Sequence, residues 1–425
     1  MFGKNKTEHE TPLSDILSHL VLRAGGRLLS GSEPLADMEY SRELRFKNEA
    51  LKRFWDINSL TCDPGPIMPS PLSRGYRSTS KRRVAMASGK IYFLHPGERL
   101  GGRQLVSPSL LEPPAHEEIF KLVHRRISRS EDEPLATALN WVIIRGIERG
   151  CALILNVYRI NAAVVRKARQ LSERISAETE ALASVFLFHD PSRSEYYLEA
   201  GRETQGELPG RTRGVGLKCL AGPSDLVIEL DDFRLRYPPQ VFSQINESMI
   251  PKLLQAGREL LISSGSDTSA DHLVDLYCGY GLFSFGLGSR FGRVTGIELA
   301  DPAMEAARRN FDRISRKGLH SFPSMRFHGG SITAPFIEKV FASIGRGGKR
   351  VHVLLDPPRQ GTAPGVIEAI AESNPQQVLH IFCNIDRLPL ELRQWEALGY
   401  RAARASVLDL FPGTANVETL LLLRR

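Results

Sequence analysis

After Pro239 the chain alternates short apolar runs with longer amphipathic ones, and this rhythm restricts the fold more than any other feature. "HLVDLYCGYG" runs into a glycine turn, and "RVTGIE", "MRFHGG", "VHVLLDPP" and "QVLHIFC" follow, with a helix starting at Asp301-Pro302. Five strand–helix alternations predict a mainly parallel sheet with helices on both faces. Two further strands, around Ala403–Leu410 and Val417–Leu423, are separated by a short turn at Pro412-Gly413. They form a hairpin, so the final strand of this α/β fold is antiparallel to its neighbours.

In such a sheet, ligands bind beyond the carboxyl ends of the parallel strands. The first strand ends at Asp275, Leu276, Tyr277, Cys278, Gly279, Tyr280 and Gly281, the second at Glu298, the fourth at Asp356 and the fifth at Cys383. The closing strand runs the other way, so its start, Asn416-Val417-Glu418, shares that rim. A glycine turn followed about twenty residues later by an acid is a general nucleotide-binding signal. The glycines admit backbone amides to the ligand, and Glu298 can bind ribose hydroxyls. The frame Gly279, Gly281, Ser284 lacks the third glycine of G-x-G-x-x-G, so it fits an adenosine-type cofactor as well as a dinucleotide.

"LLDPPRQG" is more specific. Pro357 and Pro358 stop the strand and hold Asp356 at its tip, and Arg359 can donate to a phosphate or a base. Cys383 is either a packed side chain or a nucleophile aimed into a cleft. A free thiol titrates at about 8.5, so the thiolate is scarce at neutral pH unless the site favours it. Such a thiolate adds to an activated double bond, and Glu418 on the adjoining strand could then act as general base.

The rest of the chain is less distinctive. Residues 1–38 are expected to be a tail. Residues 39–71 hold a charged amphipathic helix and a proline-rich connector that packs on the catalytic domain. Residues 72–236 form a separate central α/β unit interrupted by a glycine- and charge-rich loop from Gly201 to Gly216, and residues 237–425 form the catalytic domain. Lys plus Arg number 56 against 48 Asp plus Glu, a net +8 that favours an anionic partner. The basic residues partly cluster, at Arg74, Arg77, Lys81, Arg82 and Arg83 and at Lys121, Arg125, Arg126 and Arg129. The five scattered cysteines indicate neither a disulfide framework nor a metal or iron–sulfur site. No apolar stretch approaches membrane-spanning length, and the polar first fifteen residues lack a secretory core, so a cytoplasmic protein is expected.

These motifs resemble the S-adenosylmethionine-dependent RNA uridine-5-methyltransferases, which make 5-methyluridine in transfer and ribosomal RNA. "YSRELRFKNEAL" looks like the family's tyrosine–leucine–lysine helix, and "RGYRSTSKRR" like its entry to the central domain. "FSQIN" is similar to F-x-Q-x-N, "DLYCGYGLFSFGL" to D-L-Y-C-G-x-G-x-F, and "DPPRQG" to D-P-P-R-x-G. "FCN" resembles S-C-N, and "LDLFPGTANVE" resembles D-x-F-P-x-T-x-H-V-E. The resemblance implies a Rossmann-like class I methyltransferase domain beside a central RNA-binding domain. S-adenosyl-L-methionine would be the cofactor, contacted by Gln244, Tyr277, Gly279, Glu298 and Asp356. Cys383 would be the nucleophile, adding to C6 of uracil, and Glu418 the base. Arg359, Tyr76 and Arg77 would face a structured RNA, with no membrane and no obligate protein partner. Leu282, Ile385 and Asn416 depart from the family pattern, and all three are expected around the catalytic pocket. They keep open a non-catalytic or altered-specificity RNA-binding factor. The glycine turn alone keeps open a dinucleotide oxidoreductase.

Overall fold

The computed structural model describes residues 11–100, 104–193, 216–230, 233–262, 267–299, 302–316, 323–344 and 350–425. Residues 201–215 of the glycine-rich loop lie outside them. The chain divides into two compact units, residues 1–73, 227–237 and 248–425 in one and residues 74–226 and 238–247 in the other. The sequence boundary near 236 is thus an exchange: 227–237 joins the first unit and 238–247 the second.

In the first unit, α1 (Leu13–Arg23) buries Leu13, Ile16, Leu17, Leu20 and Val21, a 3–4 spacing that makes one apolar stripe. The stretch expected to be a tail therefore contains a packed helix. Helix α2 (Tyr40–Ile57) starts where the Glu39 carboxylate accepts from the Ser41 and Arg42 amides at 2.9 and 3.0 Å. It buries Leu51, Phe54 and Trp55, each a gain of about 1.5–3 kcal/mol over exposure.

The second unit contains a sheet of six described strands in the order β2-β1-β3-β4-β5-β6. These are β1 (Thr79–Ala87), β2 (Lys90–Leu94), β3 (Leu139–Arg145), β4 (Cys151–Val157), β5 (Leu182–His189) and β6 (Gly216–Ala221). Only β4 and β5 pair in parallel, and α5 (Ala162–Ser176) connects them. Together with α3 (Pro114–Ile127) and the single turn α4 (Glu133–Ala136), α5 covers a mainly aliphatic core from Ile91 to Leu187. In β1 of this unit Arg82 is 1 % exposed. It forks onto Glu112 at 2.8 and 2.6 Å, and its guanidinium lies over the Phe120 ring. This member of the first basic cluster belongs to the core, because its charge is already neutralised there. Lys121, Arg125, Arg126 and Arg129 form ion pairs with Glu117, Glu178, Glu178 and Glu131.

Back in the first unit, β7 (Leu226–Leu230) and β8 (Phe233–Tyr237) make a small two-stranded sheet. The main sheet has the order β11-β10-β9-β12-β13-β15-β14. Its strands are β9 (His272–Leu276), β10 (Arg293–Glu298), β11 (Ser324–Gly329), β12 (Val351–Leu355), β13 (Gln377–Phe382), β14 (Arg401–Leu408) and β15 (Glu418–Arg424). Pairing is parallel up to β13, and β15 is antiparallel to both β13 and β14, as the hairpin requires. One face shares a core with α1, α2, α9 (Ala334–Ile344), α10 (Val366–Glu372) and α11 (Leu388–Ala397). The other meets α6 (Ile250–Leu261), α7 (Leu282–Gly288) and α8 (Pro302–Arg316). No helix among the described residues is long and apolar enough to cross a membrane.

Candidate active site

The glycine turn after β9 is built by conformation. Tyr277, Gly279 and Gly281 all have positive φ, at 64°, 56° and 98°. At Gly281 a Cβ would lie 2.4 Å from the Phe285 ring, whereas the flank of Gly279 has nothing within 4 Å. The Gly279 amide donates to Glu298 Oε2 at 2.9 Å, and the Leu299 amide to Oε1 at 2.8 Å. The second-strand acid is thereby fixed at the mouth of the turn. Ser284, where a third glycine was sought, donates its hydroxyl to buried Asp275 Oδ2 at 2.5 Å. Among the described residues, Asp275 Oδ1 has no hydrogen-bond partner. Burial first, opposed by Ser284 and aided by the charges of Asp356 and Glu298, pushes the Asp275 carboxyl up to about 7.

Asp356 follows β12, its amide bonded to the Leu276 carbonyl at 3.3 Å. Burial and then the Glu298 charge raise its carboxyl to about 7. The loop behind it turns at Gly361, whose amide donates to the Pro358 carbonyl at 2.7 Å. The loop is also tied to buried Glu391, which accepts from the Thr362 amide at 3.1 Å. Asn384 donates to the Arg359 carbonyl at 3.2 Å, joining this loop to the residue after Cys383.

Cys383 and Glu418 meet through strand register. Phe382 of β13 pairs with Thr419 of β15, so one step further along the ladder sets Cys383 opposite Glu418. Directly opposed residues on an antiparallel pair have Cβ atoms about 4.5–5.5 Å apart and share a face. Glu418 is 2 % exposed and Cys383 half-buried. Burial, then the charges of Glu418 and Asp356, push the Cys383 thiol up to about 12, with Arg359 opposing. Burial and then Asp356 raise the Glu418 carboxyl well above its usual range, and Arg359 again opposes. Asp275, Glu298, Asp356, Cys383, Glu418 and Arg359 therefore form one electrostatic cluster at one rim. At rest the cluster favours the neutral thiol, which no single segment of sequence indicates.

Of the three departures, Leu282 and Ile385 are 5 % and 4 % exposed, and Asn416 is exposed. Gln244, Tyr76 and Arg77 belong to the second unit. There Gln244 is buried and its carbonyl accepts from Ser78 Oγ at 3.2 Å, Tyr76 is 2 % exposed, and the Arg77 amide donates to the Leu111 carbonyl. Sequence reading missed Glu391 and the buried charges of α2. Their signal was present in α2, where Glu43 and Lys47 interrupt the apolar stripe of Tyr40, Leu44, Leu51 and Phe54.

Comparison with known proteins points in one direction. The family tRNA (Uracil-5-)-methyltransferase matches residues 223–425. A 23S rRNA (uracil(1939)-C(5))-methyltransferase RlmD from Marinomonas sp. (strain MWYL1) is 34% identical over 197 residues, 46% of this chain and 41% of that protein. Its counterpart from Marinomonas posidonica is 30% identical over 55% of this chain and 50% of its own length. The chain thus spans about half the length of these curated relatives. An uncharacterized RNA methyltransferase of Lactobacillus johnsonii is 25% identical over 93% of this chain and 82% of its own. Among solved structures, a Pyrococcus abyssi tRNA (uracil-54, C5)-methyltransferase in complex with S-adenosyl-L-homocysteine superposes with a TM-score of 0.64. It covers 94% of this chain and 86% of its own at 21% identity, a likeness of fold.

Proposed function

We propose, from the match of residues 223–425 to the tRNA (Uracil-5-)-methyltransferase family, that this chain methylates C5 of a uridine in structured transfer or ribosomal RNA through a covalent Cys383–C6 bond. The observation that carries the reading is the strand register that sets Cys383 opposite Glu418. The residues present also fit the nucleoside of S-adenosyl-L-methionine. Gly279 has an open flank, Glu298 stands at the end of β10, and Asp275 and Asp356 lie beside them. Tyr277 and Gln244 complete the proposed contacts. When bound, S-adenosyl-L-methionine supplies an electrophilic methyl group on a sulfonium cation.

The protein's own groups account for the remaining chemistry. The Cys383 sulfur bonds to C6 of uracil, its proton passes to Asp356, and the C5=C6 electrons move onto C5 and O4. C5 then carries the nucleophilic pair and takes the methyl group. Glu418 removes the C5 proton, the C5=C6 bond re-forms, and the C6–S bond breaks. The departing thiolate recovers its proton from Asp356. Two carboxyls with raised proton affinity suit this cycle, because each handles one proton. Arg359 balances the negative charge, and Tyr76 and Arg77 would act on the RNA side. Extruding the base costs a few kcal/mol, which phosphate contacts can offset.

The test is methylation of total RNA from a strain lacking this gene, followed by nucleoside mass spectrometry. The wild-type chain should generate 5-methyluridine, and on 5-fluorouridine RNA it should form a denaturation-resistant adduct. Cys383→Ala should lose both by more than a hundredfold. Equal adduct yield from wild type and Cys383→Ala would remove the assigned nucleophile. RNA binding without any methyl transfer would favour the non-catalytic alternative.

A further inference from the structure

Lys47 lies in the middle of α2 at 1 % exposure, and Glu43, one turn earlier, at 0 %. A lysine is almost never fully buried unless paired. Lys47 Nζ donates to Asp409 Oδ1 at 2.8 Å and to the Phe411 carbonyl at 3.2 Å, and lies 2.8 Å from Glu43 Oε1. The Tyr40 hydroxyl donates to Asp409 Oδ2 at 3.0 Å and accepts from the Ser70 amide at 2.7 Å. Glu43 Oε1 also accepts from the Gly413 amide at 2.6 Å, and the Leu35 amide donates to the Gly413 carbonyl at 3.0 Å. Beside them, the Met68 amide donates to the Val407 carbonyl at 2.8 Å, and the Asp409 amide to the Met68 carbonyl at 3.0 Å.

Apart from the Ser70–Tyr40 bond and the Lys47–Glu43 pair, these bonds end on residues 407–413, the end of β14 and the turn into β15. Leu408, immediately before Asp409, is the pairing partner of Glu418. Buried ion pairs add little stability over apolar packing, but they demand one geometry. The geometry demanded here is the height of Glu418 on the sheet. The same N-terminal segment also reaches the nucleophile side. The Leu13 amide donates to Asp386 Oδ1 at 2.9 Å, and the Asp386 amide donates to Asn384 Oδ1 at 3.3 Å, next to Cys383.

We propose that Tyr40, Glu43 and Lys47 are positioning residues for Glu418, acting through the Asp409–Gly413 turn. This rests on the reading of Glu418 as the base. Attack by sulfur and uptake of the methyl do not need Glu418; removal of the C5 proton does. Loosening the turn should therefore stall the reaction with the Cys383–C6 and C5–CH3 bonds made and the C5–H bond unbroken.

The full chain carrying Tyr40→Phe or Lys47→Met is incubated with methyl-tritiated S-adenosyl-L-methionine and total RNA from a strain lacking the gene. Nuclease digestion and a denaturing gel follow, with Glu418→Gln as reference. Wild type should label RNA and leave its own band unlabelled. Both variants, like Glu418→Gln, should retain label on the protein band at ten times the wild-type level or more. Turnover should fall at least tenfold for Lys47→Met, with KM for the donor within threefold. Amides 409–418 should exchange hydrogen faster in both variants without any ligand. Should Lys47→Met not fold, Tyr40→Phe decides alone. Lost turnover with no retained label means general damage and overturns the proposal, as does unchanged turnover. If Glu418→Gln itself retains no label, the assignment of the base fails instead.

Discussion

Cys383 is surrounded by groups that oppose its ionisation: a buried setting first, then Glu418 and Asp356, with Arg359 and a backbone hydrogen bond on the other side. A cation brought within a few ångströms of such a thiol favours the thiolate and lowers its pKa by about 1–3 units. Alkylation by iodoacetamide should therefore be slow at pH 7.5 and keep rising with pH beyond 9. It should be about tenfold faster with S-adenosyl-L-methionine than with S-adenosyl-L-homocysteine, whose sulfur is neutral. Peptide mass spectrometry reads the rate at Cys383, and exposed Cys219 serves as the internal control. Equal rates with the two ligands would refute charge-assisted activation. That Cys383 and Glu418 share one rim was legible in the sequence, because a strand period and a hairpin turn sufficed to place both there. The state of the thiol was not legible, because its neighbours arrive from β12 and β15, and their burial is a property of the assembled sheet.

Each connection at the rim uses its own device to project side chains. The D-P-P-R loop after β12 depends on Gly361, which has φ +86° and no room for a Cβ: one would lie 1.9 Å from Glu391 Oε1. Gly361→Ala should strain the backbone by about 1–2 kcal/mol and push Glu391 away from the Thr362 amide. We expect methylation to fall at least tenfold while the thermal midpoint drops only by several degrees, read by activity assay and circular dichroism. Activity within twofold of wild type would show that the loop does not need this turn. The β9 turn, the proline stop after β12 and the C-terminal hairpin could all be read from glycine, proline and apolar spacing. Strand β1 could not. Thr79–Ala87 carries Lys81, Arg82 and Arg83 in succession, and only Glu112 and Phe120, distant in sequence, make a core residue of Arg82. Ser284 likewise passed for a missing glycine until its bond to Asp275 supplied a reason for it.

For the chain as a whole, the excess of 56 basic over 48 acidic residues bears on the proposed RNA substrate. If phosphate contacts supply the affinity, raising salt from about 50 to 200 mM should weaken binding of total RNA at least tenfold. S-adenosyl-L-methionine affinity should move by less than twofold. Filter binding and calorimetry measure the two, and an RNA affinity indifferent to salt would exclude that electrostatic account. The division into units was only partly legible, because the chain crosses between them at 227–237 and 238–247 and a linear scan expects one boundary. Helix α1 escaped notice for a similar reason: its apolar stripe has meaning only against the sheet that covers it. The order of the main sheet has one more consequence. A strand–helix–strand crossover such as β13-α11-β14 ordinarily lays its two strands side by side. Here a slot one strand wide, about 4.8 Å on each side, is kept between them for β15. If β14 slid into that slot, six strands would close into a complete parallel sheet that still displayed the thiol but shut Glu418 out, a well-packed impostor with no means of releasing its product.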